Sequence, residues 1–129
     1  MFTICENNSA DIIFELEKKV FKDEAYKLNQ IEDILTMPDM YKIISVKDEK
    51  EIVRGYVIIF NNSESLEIMK IGVDPEYRKH GFGTILLNEM KKSRMNIFLE
   101  VRETNETAIK FYENNYFKKA GKINKLINK

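Results

Sequence analysis

Apolar positions along the chain change period several times, and each change marks an element. Residues 2–5 read as a short strand. Ser9-Ala10-Asp11 then opens an amphipathic run to residue 21, with Ile12, Ile13, Leu16, Val20 and Phe21 as its apolar stripe, which predicts a first helix. A second, shorter helix is expected over 29–35 and should stop near Met37, because Pro38 disfavours a helical conformation in the residue before it. Residues 41–46 and 52–60 are β-rich and separated by the charged turn Lys47-Asp48-Glu49-Lys50, the pattern of an antiparallel hairpin. A second polar turn, Asn61-Asn62-Ser63-Glu64, leads to a third strand over 66–73, completing a meander. Pro75, Gly81 and Gly83 interrupt the strand pattern ahead of a helix over about 84–92, whose apolar side carries Ile85, Leu86 and Met90. Residues 96–101 form the next predicted strand. A helix over 105–114 follows, with Ala108, Ile109, Phe111 and Tyr112 turned inward, and 116–123 is the last predicted strand. This order predicts an α+β (α/β three-layer) fold, a mixed and mainly antiparallel sheet flanked by helices, in one domain over residues 1–129.

Composition narrows the class without naming a chemistry. A chain of 129 residues with 43% hydrophobic and 33% charged residues suits one globular core. Twenty-one basic residues balance twenty-one acidic ones, so no global charge draws the chain to nucleic acid or an anionic membrane. The single cysteine, Cys5, excludes an intrachain disulfide and a multi-cysteine zinc site, and fits a reducing, cytoplasmic setting. The N-terminus lacks the basic-then-apolar layout of a signal peptide, and no apolar run approaches the roughly 20 residues of a membrane span.

The segment from Val73 to Thr84 lies between a predicted strand and a predicted helix N-terminus, where unpaired N–H groups and the helix dipole favour an anion. Glycines there let phosphate oxygens approach the backbone. Two glycines alone are equally compatible with a structural turn. The Walker ending Gly-Lys-Ser/Thr is absent, and so are the third glycine and later acidic residue of a dinucleotide fold. His80, the only histidine, invites a catalytic reading, but a side chain in this loop should lean toward solvent or a phosphate.

With Arg78-x-x-Gly81-x-Gly83 following Val73-Asp74-Pro75, the segment resembles the acetyl-CoA signature of the GCN5-related N-acetyltransferase (GNAT) superfamily. The resemblance implies that the backbone of Lys79, His80, Gly81, Phe82, Gly83 and Thr84 holds the CoA pyrophosphate, with Arg78 beginning the signature. It also implies that the main chain of Ile71, Gly72 and Val73 pairs with the pantetheine arm. Downstream, Leu99-Glu100-Val101-Arg102, then Asn105, Ala108-Ile109 and Tyr112, is similar to the ribosomal-protein-alanine N-acetyltransferase branch. By that resemblance Glu100 is the general base, Tyr112 the general acid and Asn105 a cofactor contact, with acetyl-CoA as cosubstrate, an amine as acceptor and no metal.

The chemistry asks for such groups. A protonated amine cannot attack a thioester until a carboxylate, directly or through water, removes a proton. An α-amine with a pKa of roughly 8 is easier to neutralise than a lysine near about 10.4, which favours a peptide N-terminus over a lysine. Collapse expels a thiolate with a reference pKa of about 8.5, which a tyrosine can protonate. Plainer roles remain open for both residues: Glu100 as a polar strand position and Tyr112 as a core anchor. Glu67, on the strand before the loop, is the rival base. The contrasting function is a noncatalytic acyl-CoA-binding or interaction module.

The family usually continues past its final helix through a β-hairpin, whereas residues 117–127 supply one strand or a very short hairpin. The last strand is therefore expected to be missing or reduced, with the lysine- and asparagine-rich residues 122–129 fraying, and the sheet edge so exposed is a candidate homodimer surface.

Overall fold

The computed structural model describes residues 2–6, 9–120 and 125–128. Helix α1 (Ala10–Phe21) begins where Ser9 caps it, the serine side chain accepting from the Ile12 N–H. Helix α2 (Leu28–Leu35) ends before Pro38, as expected. Strand β1 (Thr3–Glu6) precedes them, and β2 (Tyr41–Lys47), β3 (Val53–Asn61) and β4 (Ser65–Val73) form the antiparallel meander. Helix α3 (Phe82–Lys91), β5 (Asn96–Glu100), α4 (Glu106–Asn114), β6 (Phe117–Lys119) and β7 (Lys125–Asn128) complete the order. Among the described residues seven strands make one sheet, β1-β2-β3-β4-β5-β7-β6, in which β4 and β5 pair in parallel and the other neighbours antiparallel.

The alternation of side chains across the strands separates two cores. Ile13, Leu16 and Ile31 of α1 and α2 pack with Ile43, Tyr56 and Ile58 on one face. On the other, Leu86, Leu87 and Met90 of α3 pack with Val46, Val57 and Ile59, and with Leu99 of β5.

Strand β4 changes phase within its length. Its register with β3 runs Ile59↔Ile68 and then Ile58↔Lys70, so Met69 is the extra residue of a β-bulge. Before it, Leu66 and Ile68 face the α3 core; after it, Ile71 and Val73 do, and Lys70 and Gly72 turn to the α1 face. Without the bulge that assignment would be reversed.

The last strand, expected to be missing or reduced, is present as the four-residue β7, which inserts between β5 and β6, pairing Leu99↔Leu126 and Lys118↔Ile127; three neighbouring expectations need correction. Residues 125–128 of the expected fraying tail form this strand because Leu126 and Ile127 are buried, while 122–124 and 129 lie outside the described residues. The final predicted strand over 116–123 is accordingly the shorter β6, and its later residues 121–123 lie outside the described residues. β5 is therefore not left as an open edge; the edges are β1 and β6, and a dimer through the sheet would have to use one of them.

Candidate active site

Parallel pairing of β4 and β5 ends at Ile68↔Leu99. Beyond it the strands diverge and leave a cleft of about 420 Å³. Met69 and Ile71 line one wall, Glu100 and Val101 the other, and Tyr112 of α4 contributes from below. A larger, shallower groove of about 790 Å³ runs between α1 and the start of β3, but its buried Asp74 is already engaged by Lys19 and Arg54. The smaller cleft is the one that brings together Glu100, Asn105 and Tyr112, the residues the sequence motif singles out.

Strand β4 beyond the bulge has β3 on one side and no β5 partner on the other, so residues 69–73 carry a bare strand edge, of which Met69, Lys70 and Ile71 line the cleft and Gly72 and Val73 lie beyond its lining. An extended arm carrying amides fits such an edge. Ile71, Gly72 and Val73 therefore stand where a pantetheine chain could pair. Gly72 has a separate reason to be glycine: a Cβ there would lie 2.9 Å from the Tyr56 ring.

The loop after β4 is fixed at its root by Asp74, 3% exposed, which accepts from the Glu76 N–H and pairs with Lys19 at 3.0 Å and Arg54 at 3.1 Å. Arg54 also lies 3.9 Å over the Tyr77 ring. Burial pushes the Asp74 carboxyl up, but Lys19, the Glu76 N–H and Arg54 together hold it below its ordinary value. After the 3-10 turn Pro75–Tyr77, Lys79 and Gly81 take left-handed φ values of 69° and 82° and turn the chain onto α3.

Gly81 is the N-cap, so α3 starts at Phe82, two residues earlier than the sequence pattern suggested. Its first intrahelical bond is Ile85 N–H to the Gly81 carbonyl. The N–H groups of Phe82, Gly83 and Thr84 therefore precede the helix ladder, and no side chain caps them. By contrast, α1 and α4 are capped by Ser9 and Asn105. An uncapped helix start flanked by the exposed Arg78 and Lys79, neither in an ion pair among the described residues, fits a pyrophosphate. His80 is exposed in the same loop, beside Tyr77 and Phe82, and does not line the cleft.

Two of these residues are fixed by packing. Phe82 is buried in the core, leaving only its main chain for contact. A Cβ on Gly83 would meet Phe111 Cζ at 2.9 Å, so this glycine is required for close packing of α3 on α4.

The proposed acid and base both reach the cleft. Glu100 ends β5 with its side chain 67% exposed, 4.0 Å from Lys125 of β7. Tyr112 is 5% exposed, and its hydroxyl has no hydrogen-bond partner among the described residues. Burial raises its phenol well above the ordinary value, so it keeps its proton. Asn105 also lines the cleft while its side-chain oxygen caps α4 through the Ala108 N–H at 3.1 Å. Glu67 sits in the paired part of β4, opposite Phe98, and is not a cleft residue.

The acetyltransferase (GNAT) family model matches residues 9–116. The chain belongs to the GNAT family. Over 59 residues it is 44% identical to N-alpha-acetyltransferase 60 of Danio rerio, covering 40% of this chain and 24% of that protein. A 58-residue match to the Xenopus tropicalis protein of the same name is 38% identical and covers 39% and 24%. The matched part thus spans about a quarter of these relatives. Among solved structures, ribosomal-protein-S18-alanine N-acetyltransferase from Escherichia coli shares the fold at a TM-score of 0.81 and 21% identity, over 98% of this chain and 91% of that one. The PaiA N-acetyltransferase from Thermoplasma acidophilum, in complex with coenzyme A, gives 0.76 and 18%, over 98% and 96%.

Two features of this GNAT site escape a search for motifs. One is the Met69 bulge, whose signal is the break in alternation at Ile68-Met69. The other is Glu17, fully buried within α1, which accepts from the Tyr56 hydroxyl, Lys70 Nζ and the Tyr26 N–H. Its place in the sequence, amid the charged run Glu15 to Lys19, gives no sign of burial.

Proposed function

We propose that the chain is an acetyl-CoA-dependent N-acetyltransferase that acts on a primary amine, most suitably a protein N-terminal α-amine. The observation that carries this reading is the pairing, in one cleft, of an accessible carboxylate, Glu100, with a buried and unpartnered phenol, Tyr112. Glu100 removes a proton from the acceptor ammonium, through water given its exposure. The neutral amine then adds to the thioester carbonyl, and the bare β4 edge offers N–H groups to the carbonyl oxygen as it gains charge. As the C–S bond breaks, Tyr112 gives its proton to the departing sulfur, the new amide nitrogen gives up its extra proton to water, and Tyr112 recovers a proton from solvent after release.

Arg78, Lys79 and the start of α3 at Phe82, Gly83 and Thr84 take the cosubstrate's pyrophosphate, Asn105 a further contact, and Ile71, Gly72 and Val73 its amide-bearing arm. The α-amine preference is supported by the local similarity to N-alpha-acetyltransferase 60 and by the lower basicity of α-amines. A single cysteine supports a cytoplasmic setting. Among the described residues no helix is long and apolar enough to cross a membrane. Calorimetry with acetyl-CoA, followed by free-CoA release with a panel of N-terminal peptides and small amines, tests the proposal. Binding with acceptor-dependent release is expected; binding without release would favour a noncatalytic module, and absence of binding would defeat it.

A further inference from the structure

The buried Glu17 is not used by the chemistry above, yet it joins the α1–α2 connection to β4, both of which line the cleft. Its Oε2 receives both Lys70 Nζ at 2.7 Å and the Tyr26 N–H at 2.7 Å, and its Oε1 receives the Tyr56 hydroxyl. Lys70 is the first residue after the Met69 bulge, and its Nζ also donates to the Glu24 carbonyl at 2.8 Å. That ammonium stands 3.9 Å from the centre of the Phe21 ring and 4.5 Å from that of Tyr26. Phe21, Glu24 and Lys70 all line the cleft, whereas Glu17 does not. The connection between α1 and α2 is therefore fastened to β4 at two points, the Glu24 carbonyl and the Tyr26 N–H, through one carboxylate and one ammonium.

We propose that Glu17, acting through Lys70, is a positioning residue that holds the α1–α2 connection as the acceptor wall of the cleft. The inference rests on the reading of that cleft as an acyl-transfer site. A buried carboxylate needs several donors to offset its desolvation, and Glu17 has three, drawn from β3, β4 and the connection. Such a junction fixes relative placement, because the three donors converge on one buried carboxylate and Lys70 reaches the Glu24 carbonyl as well. Among the described residues, none of those assigned to the cosubstrate hydrogen-bonds to this carboxylate, although Tyr56 packs beside Gly72. Loosening the junction should disturb the acceptor and leave the cosubstrate in place.

The test compares Glu17→Gln, Lys70→Met and the double variant, which removes both charges and guards against an unfolded single variant through an uncompensated buried charge. Two readouts are taken at a temperature where circular dichroism shows the variants folded. The first is steady-state transfer: the acceptor KM should rise at least about fivefold, while the acetyl-CoA Kd stays within about twofold, a split that uniform destabilisation does not produce. The second is hydrogen exchange: the Tyr26 amide should exchange at least about tenfold faster, with Ile58 in β3 unchanged. An unchanged acceptor KM in folded variants, or exchange at Tyr26 that rises only together with Ile58, would overturn the proposal. Exchange reports on the junction without turnover. If the wild-type chain acetylates no amine, the functional reading fails and the positioning role with it, whereas wild-type turnover with unaltered variant KM sinks the positioning role alone.

Discussion

Replacing Tyr112 by Phe separates a catalytic hydroxyl from a structural one, because the structure assigns opposite signs to stability and activity. The phenol is 5% exposed with no hydrogen-bond partner among the described residues, while its ring packs edge-on against Phe111 and Phe117 at 5.1 and 5.4 Å. Burying an unpaired hydroxyl costs about 1–3 kcal/mol, and the ring contacts survive in Phe. After allowing for the lost dispersion of one oxygen, Tyr112→Phe should be neutral or up to about 1 kcal/mol more stable, a rise of at most about 3–5 °C in Tm for a chain of this size. Activity should move the other way. General acids contribute about 10²–10⁴-fold, and a thiolate with a pKa of about 8.5 already leaves well, so the lower end applies. A loss of about 10²-fold corresponds to roughly 2.7 kcal/mol in the barrier. Single-turnover mixing with acetyl-CoA prebound measures this without interference from product release, and calorimetry should show acetyl-CoA affinity unchanged. A transfer rate within about twofold of wild type, or a Tm lowered by several degrees, would refute the assignment of the hydroxyl to proton donation.

Glu100→Gln should slow transfer by about 10²-fold with acetyl-CoA affinity and Tm unchanged, since its exposed carboxylate anchors little; rate and affinity falling together would make it structural. Asp74→Asn should destabilise the fold by about 2–4 kcal/mol in urea titration and weaken acetyl-CoA binding, because it leaves Lys19 and Arg54 without the buried carboxylate. The folded Asp74 pKa is lowered, so its contribution is present above the unfolded value of about 3.9 and is lost as pH falls through the folded one. Stability measured from pH 6 to pH 2 should therefore fall less in the variant than in wild type, and parallel curves would contradict this. Gly83→Val should cost about 1–3 kcal/mol in thermal unfolding through collision with Phe111, and pairing it with Phe111→Leu should recover part of that loss; no recovery would mean that the glycine serves something else.

Legibility in the sequence followed how local each determinant is. The meander from β2 to β4 could be read because polar turns separate β-rich runs, and the α4 helix because its inward residues recur at helical spacing. The start of α3 was misplaced by two residues, since Phe82 and Gly83 look like loop and become helix only when Gly81 takes a left-handed φ. β7 was hidden because Leu126 and Ile127 sit among lysines and asparagines, and their burial depends on β5 and β6 flanking them. That Glu100, Asn105 and Tyr112 come together in one cleft agrees with what their motif implied, while the loop from Arg78 to Thr84 lies outside its lining. Glu17 could not be named in advance, because its donors come from 9, 39 and 53 residues away.

The missing side chain at Gly83 sets a dimension. With no Cβ between them, the ring of Phe111 rests directly on the start of α3, and the next residue along is Tyr112. A side chain at residue 83 would push Phe111, and α4 with it, away from α3. Where Tyr112 stands in the cleft is therefore set in part by a residue that carries no side chain and lies on a different helix.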